Sequence, residues 1–190
     1  MSQKEDPAPP LSVSQWFNAE QPITLDAMRG RIVVIYAFQM LCPGCVAHGL
    51  PQAMKVSQTF SRHELVVLGL HSVFEHHDAM APHALQAFLH EYRISFPVGV
   101  DRLAADNTIP STMQDYRLRG TPSLIVIDRQ GLLRLNHFGH LDDLPLGVLL
   151  GTLIAEPAPE RASLAGAGDD ETSLCPPGAE NCDGQQCAIA

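Results

Sequence analysis

The longest apolar run in the chain is Ile32-Val33-Val34-Ile35-Tyr36-Ala37-Phe38, directly after Arg31. It has no polar face, which predicts a strand covered on both sides. Beyond it Val46, Leu50, Ala53, Met54 and Phe60 recur at helical spacing. Leu65-Val66-Val67-Leu68-Gly69-Leu70 predicts a second buried strand, and Leu85, Phe88, Leu89 and Tyr92 mark a helix with Pro82 in its first turn. Phe96-Pro97-Val98-Gly99-Val100 predicts a short strand and residues 113–118 a short helix. Residues 123–128, the turn Arg129-Gln130-Gly131 and residues 132–138 form a predicted hairpin, and a last helix is expected over residues 142–155. The order β-α-β-α-β-α-β-β-α predicts the α/β class: a central mixed sheet with parallel crossovers, an antiparallel end and helices on both faces. Trp16 is expected to cap the core from an edge segment.

The ends break this pattern. Residues 1–10, with Pro7, Pro9 and Pro10, read as a flexible leader, and residues 11–156 as the packed domain. Residues 157–190 are rich in Ala, Gly, Asp and Glu and read as a flexible acidic tail, because such a stretch buries too little apolar surface to offset its ordering entropy. The 190 residues carry 45% hydrophobic and 17% charged positions, enough for one core. Of the net charge of −9, the tail holds a large share, with six acids in residues 158–190 against Arg161 alone. Without a basic stripe there is no surface for nucleic acid. No apolar run approaches the roughly 20 residues of a membrane span. The N-terminus, with Lys4, Glu5, Asp6 and its prolines, lacks a secretory pattern, so the expected compartment is the cytoplasm.

Chemistry enters at Cys42-Pro43-Gly44-Cys45, between the first buried strand and the first long helix. A C-x-x-C pair beside a βαβ pattern is a redox signature. Two cysteines three apart in a first helical turn bring their sulfurs within bonding range. The first lies where unpaired N–H groups and the helix dipole favour a negative charge, so Cys42 is the expected nucleophile and Cys45, one turn deeper, the resolving thiol. Zinc is the weaker reading, since it takes four ligands and no second C-x-x-C follows. Nine histidines, including His71, His76, His77, His83 and His90 around Glu75 and Asp78, read as solvated residues, so no metal is expected.

The C-P-G-C motif, Thr24-Leu25 leading to Arg29-Gly30-Arg31, and Tyr116-Arg117-Leu118-Arg119-Gly120-Thr121-Pro122 before Leu124–Asp128 together resemble the thioredoxin superfamily. The resemblance is closer to its bacterial branch of cytochrome-maturation thiol–disulfide oxidoreductases and redoxins, and covers about residues 11–156. It implies a thioredoxin fold with an inserted β-α unit after the first helix. It also implies a cis proline at Pro122 facing the dithiol, and backbone groups of Thr121 that hold an extended substrate segment in strand-like pairing. Pro43, Gly44, Thr121 and Pro122 are thus the implied substrate-binding residues. Tyr36 departs from the buried aspartate of thioredoxin, and Leu41 from the tryptophan that commonly precedes the first cysteine. His48 replaces a glutamate frequent in the cytochrome-maturation relatives, and Pro51 falls one residue later than usual. His48 is the expected proton donor or acceptor for Cys45.

The expected activity is thiol–disulfide exchange with no cofactor, acting on a protein or small-molecule disulfide and resupplied by an upstream thiol reductant. Two alternatives stand beside it. A redoxin-type thiol peroxidase would need a hydroxyl residue three before Cys42 and a proline seven before, where the chain has Gln39 and Ile35. A non-catalytic thiol- or metal-binding module would use the tail cysteines Cys175, Cys182 and Cys187. These three read as a tethered redox relay to Cys42, as a metal ligand set, or as exposed thiols without a dedicated partner.

Overall fold

The computed structural model describes residues 6–104 and 109–157. Six strands form one sheet: β1 (Val13–Phe17), β2 (Ile32–Phe38), β3 (Leu65–His71), β4 (Val98–Asp101), β5 (Ser123–Ile127) and β6 (Leu133–Phe138), in the spatial order β1-β4-β3-β2-β5-β6. β2 runs parallel to β3 and β3 to β4, whereas β5 is antiparallel to β2, β6 to β5 and β1 to β4. The helices are α1 (Leu50–Thr59), α2 (Pro82–Glu91), α3 (Ser111–Asp115) and α4 (Asp143–Ala155).

The sheet is arranged around β2. All seven of its residues are buried, as its central place and unbroken apolar run require. Ile32, Val34, Tyr36 and Phe38 point into a core shared with Leu50, Ala53 and Val56 of α1, Leu85 and Leu89 of α2, and Leu146, Leu150 and Leu153 of α4. Val33, Ile35 and Ala37 face the other way, against Tyr116, Leu11, Trp16 and Met28. This alternation is the period of two expected of a strand. Thioredoxin-like architecture is therefore built on a strand whose far end delivers the chain to Cys42.

Two expectations are corrected and one is sharpened. Residues 6–10 are not a free leader. Pro7 bridges Leu132, the Ala8 N–H donates to the Gly131 carbonyl at 2.9 Å, and the Tyr116 hydroxyl donates to the Pro9 carbonyl at 2.6 Å. Proline lacks a donor but keeps its acceptor, so a proline-rich segment can dock on a hairpin edge. Trp16 packs on the core from an edge segment as expected, and that segment is a full strand, β1, whose exposed Ser14 and Gln15 give it no apolar run. His71 is not solvated: it is 1% exposed, because it ends a strand covered on both faces.

Two arginines fasten α4 to the β5–β6 hairpin. One Arg129 nitrogen donates to the carbonyls of Leu153, Ile154 and Glu156, the last at 2.7 Å. Arg134 grips the Glu156 carboxylate with two 2.8 Å bonds and also reaches Asp128. A helix ends with unpaired carbonyls, and a guanidinium there is a charge-matched cap. Arg129→Ala is expected to cost about 1–3 kcal/mol of unfolding free energy in urea titration, through fraying of the last turn of α4.

Among the described residues neither ring nitrogen of His71 has a hydrogen-bond partner, and the ring lies 5.3 Å from that of Phe38 between centroids. Burial pushes this imidazole down to about 4. The folded state therefore binds its proton less readily than the unfolded chain, so stability is complete above the unfolded value near 6.5 and falls as pH drops towards 4. The loss approaches about 3 kcal/mol. Replacing His71 by Leu is expected to flatten the stability profile between pH 7 and 4 and to raise Tm most at the acid end; an unchanged acid slope would contradict this.

Candidate active site

After β2 the chain passes through Gln39, Met40 and Leu41 and turns into a helix at Cys42. The Cys42 carbonyl accepts the N–H groups of Cys45 and Val46, both at 3.1 Å. The Cys45 N–H also reaches the Cys42 Sγ at 3.3 Å. The sulfur thus takes the place of an N-capping oxygen, against the positive end of the helix. On its other side the Cys42 thiol donates to the Thr121 carbonyl at 3.4 Å. The Thr121–Pro122 peptide bond is cis.

The helix opens with an α-helical bond, Val46 N–H to the Cys42 carbonyl, but does not continue as one. Residues Cys45–Gly49 form a π-helical turn in which the Leu50 N–H bonds the Cys45 carbonyl, five residues back. That turn takes up one extra residue, and it lets Pro51 enter α1 in the first turn, where its missing N–H costs nothing. Pro51 falling one place late in the sequence is the mark of this widening. Pro122 packs directly on the turn. A Cβ on Gly44 would lie 3.4 Å from Pro122 Cδ, and one on Gly49 3.3 Å from Pro122 Cβ. The turn and the proline loop approach this closely because glycine stands at both places.

The two sulfurs have different surroundings. Cys42 is partly exposed, whereas Cys45 is completely buried, and both are free thiols. Burial, and then a hydrogen bond to the Cys42 sulfur, push the Cys45 thiol up to about 12; hydrogen bonds from the Gln39 backbone and the Thr121 side chain act in the opposite direction. Cys45 holds its proton while Cys42 faces solvent.

In the sequence Gln39 stands out only for the hydroxyl it lacks. It is 1% exposed and bridges two segments: its Oε1 accepts from the Phe74 N–H at 3.3 Å, and its Nε2 donates to the Thr121 Oγ1 at 3.4 Å. Nothing local in the sequence signals this, since the partner lies 82 residues away. Tyr36, in place of a buried acid, donates its hydroxyl to Gln52 Oε1 at 3.2 Å. Gln52 in turn donates to the Leu141 carbonyl and to Asp143, both at 2.7 Å. The bonds from Gln52 and Lys55 hold the Asp143 carboxyl below the usual carboxylate range, and burial pushes the Tyr36 phenol up. Tyr36 is therefore a neutral hydrogen-bonding group in the core.

The structure brings Cys42, Cys45, Gly44, Thr121 and Pro122 together, with Pro43 exposed on the rim. It does not bring His48 to Cys45. His48 is exposed, its ring lies 5.1 Å from that of His140, and no hydrogen bond joins it to Cys45 among the described residues. The extra residue in the π-helical turn changes the face on which position 48 stands, which corrects its expected place beside the resolving thiol. Cys175, Cys182 and Cys187 lie outside the described residues. Leu41, next to Cys42, and Phe138 are exposed apolar side chains, and the Arg119 guanidinium lies 5.4 Å from the Phe138 ring centroid.

Comparison with known proteins agrees with this arrangement. The AhpC/TSA family model matches residues 5–136. The crystal structure of the thioredoxin-like superfamily protein SPOA0173 is 56% identical, with a TM-score of 0.79 over 80% of this chain and 99% of that one. A thiol-disulfide isomerase from Corynebacterium glutamicum is 50% identical, with a TM-score of 0.76 over 79% and 98%. Human NHL repeat-containing protein 2 is 29% identical over 68% of the chain but only 17% of its own length. The chain spans less than a fifth of the curated relatives it matches. The chain, matched over residues 5–136, belongs to the AhpC/TSA family and shares the fold of these thioredoxin-like structures.

Proposed function

We propose that this protein reduces disulfides through the Cys42/Cys45 couple, with Cys42 as nucleophile. The observation that carries this reading is the asymmetry of the pair: the Cys42 sulfur is partly exposed between the Cys45 N–H and the Thr121 carbonyl, while Cys45 is buried with its proton held. Cys42 attacks the substrate disulfide, a Cys42–substrate disulfide forms, and the departing substrate sulfur takes up a proton. Cys45 then attacks the Cys42 sulfur, so that the Cys42–Cys45 bond forms as the second substrate thiol leaves. An extended substrate segment would align on the backbone of Thr121, over the small uncharged surface of Pro43 and Gly44. The identity to the Corynebacterium isomerase supports the same reaction class.

In a reducing compartment, the cytoplasm on this reading, the net direction is substrate reduction, and a thiol reductant upstream returns the couple to the dithiol. A peroxidase role is less well supported, because position 39 offers an amide already engaged with Thr121 and Phe74 rather than a hydroxyl.

Alkylation of the reduced protein at pH 7, read by peptide mass spectrometry, is expected to label Cys42 at least about tenfold faster than Cys45. Cys45→Ser is expected to accumulate a mixed disulfide on Cys42, and Cys42→Ser to abolish insulin reduction. Faster labelling of Cys45, or hydroperoxide consumption that outpaces disulfide reduction, would overturn the assignment.

A further inference from the structure

We propose that Arg119, stacked on the ring of Phe138, selects disulfide substrates that carry a carboxylate beside the reacting cysteine. The inference deepens the reading given above and rests on it: Cys42 is the attacking sulfur, and the Thr121 backbone aligns the substrate.

The surface is built on the proline loop itself. The Ser123 hydroxyl donates to the Gly120 carbonyl at 2.7 Å and the Gly139 N–H to the Pro122 carbonyl at 2.8 Å, so the loop is tied on both sides of Thr121. Phe138, opposite Ser123 in the sheet, lies so close to Gly120 that a Cβ there would stand 2.8 Å from its ring. The ring is nevertheless 45% exposed, and the Arg119 guanidinium lies 5.4 Å from its centroid. Arg119 stands two residues before Thr121, about 7 Å along an extended chain. A substrate segment paired with the Thr121 backbone therefore passes within reach of this side chain.

A cation over an aromatic face is attracted by the ring quadrupole, and stacking occupies the face of the guanidinium while leaving its edge N–H groups free. Other arginines of the domain spend their donors within it: Arg29 on Asp26, Arg31 on the Ala27 carbonyl, Arg102 on the Val13 carbonyl, Arg129 and Arg134 on Glu156. Among the described residues no carboxylate pairs with Arg119. A planar fork of donors, held by its face and without an acceptor at its edge, matches the two oxygens of a carboxylate. Because the ring already restrains the side chain, less rotamer freedom is lost when that carboxylate arrives.

The sequence of the chain itself holds a cysteine in such a setting, Cys182 between Glu180 and Asp183. The probe is a separate peptide of residues 179–184, Ala-Glu-Asn-Cys-Asp-Gly, acetylated and amidated at its ends, with its cysteine blocked as the mixed disulfide with 2-thiopyridine. A neutral twin carries Gln and Asn in place of the two acids. Cys42 attacks the peptide sulfur, the Cys42–peptide disulfide forms, and the electron pair leaves on the thiopyridine sulfur, which is protonated to the absorbing thiopyridone. Cys45 then forms the Cys42–Cys45 bond and the peptide departs as a thiol.

The test uses the full-length chain with Cys175, Cys182 and Cys187 replaced by Ser, so that only the two site thiols react. Below saturation the acidic peptide is expected to release thiopyridone about fivefold faster than its twin, and the ratio to fall towards one as salt is raised to about 1 M. The gain is expected in the half-saturating peptide concentration and not in the limiting rate, as for an interaction made equally before and during reaction. Arg119→Gln is expected to bring the ratio close to one. Phe138→Leu, which stays apolar but loses the ring face, is expected to lower it to about twofold, and Phe138→Tyr to keep it.

A ratio near one in the parent, or one that survives Arg119→Gln, would overturn the role of Arg119. Equal slowing of both peptides in Phe138→Leu would overturn the part given to the ring. Arg119 is exposed, so Arg119→Gln removes no packing and decides alone should Phe138→Leu fail to fold. No thiopyridone from either peptide in the parent would instead overturn the Cys42 assignment on which the inference rests.

Discussion

Two backbone groups from segments nearly eighty residues apart meet on one sulfur: the N–H of Cys45 and the carbonyl of Thr121, 3.3 and 3.4 Å from Cys42 Sγ. For that meeting to hold, β2 must end beside the start of β5, and the two strands are adjacent and antiparallel, with Ala37 opposite Ser123. The helix start must also press against the proline loop, which Gly44 and Gly49 allow. The burial of β2 on both faces fixes the first condition; the small residues of the turn fix the second. The core is in this sense the support of the site, and the site is where the support ends.

Within that frame the two thiols are separated by environment and not by chemistry. They share a residue type and a turn, yet one faces water and the other has lost it entirely. Burial of a neutral thiol costs little, whereas burial of its anion costs much, so the deeper cysteine keeps its proton. The Tyr36 position acts in the same direction: a phenol tied through Gln52 to a surface carboxylate places a neutral group in the core that Cys45 shares.

Much of this was legible along the chain. The continuous apolar runs that became β2, β3 and β5 are unambiguous because central strands admit no polar face, and Cys42-Pro43-Gly44-Cys45 marks its own chemistry by falling between a strand and a helix. What escaped had a common cause. β1 is an edge strand with a half-exposed, polar composition; residues 6–10 dock through carbonyl acceptors that no side-chain pattern reveals; His71 reads as polar although its strand buries it. Gln39 was invisible for a related reason, since its two partners come from a loop after β3 and the loop before β5. Contacts that depend on tertiary approach leave no periodic trace.

The π-helical turn between Cys45 and Gly49 separates two requirements that an unbroken α-helix would tie together. In an α-helix each residue advances the face by about 100°, so the rotational setting of Cys45 would dictate which side of α1 meets the sheet. One extra residue in the turn releases that gearing. Leu50, Ala53 and Val56 can seat themselves in the core while the sulfur pair above keeps its own bearing towards the proline loop. Drift in the packing of the helix body is thereby kept from turning the dithiol away from its work.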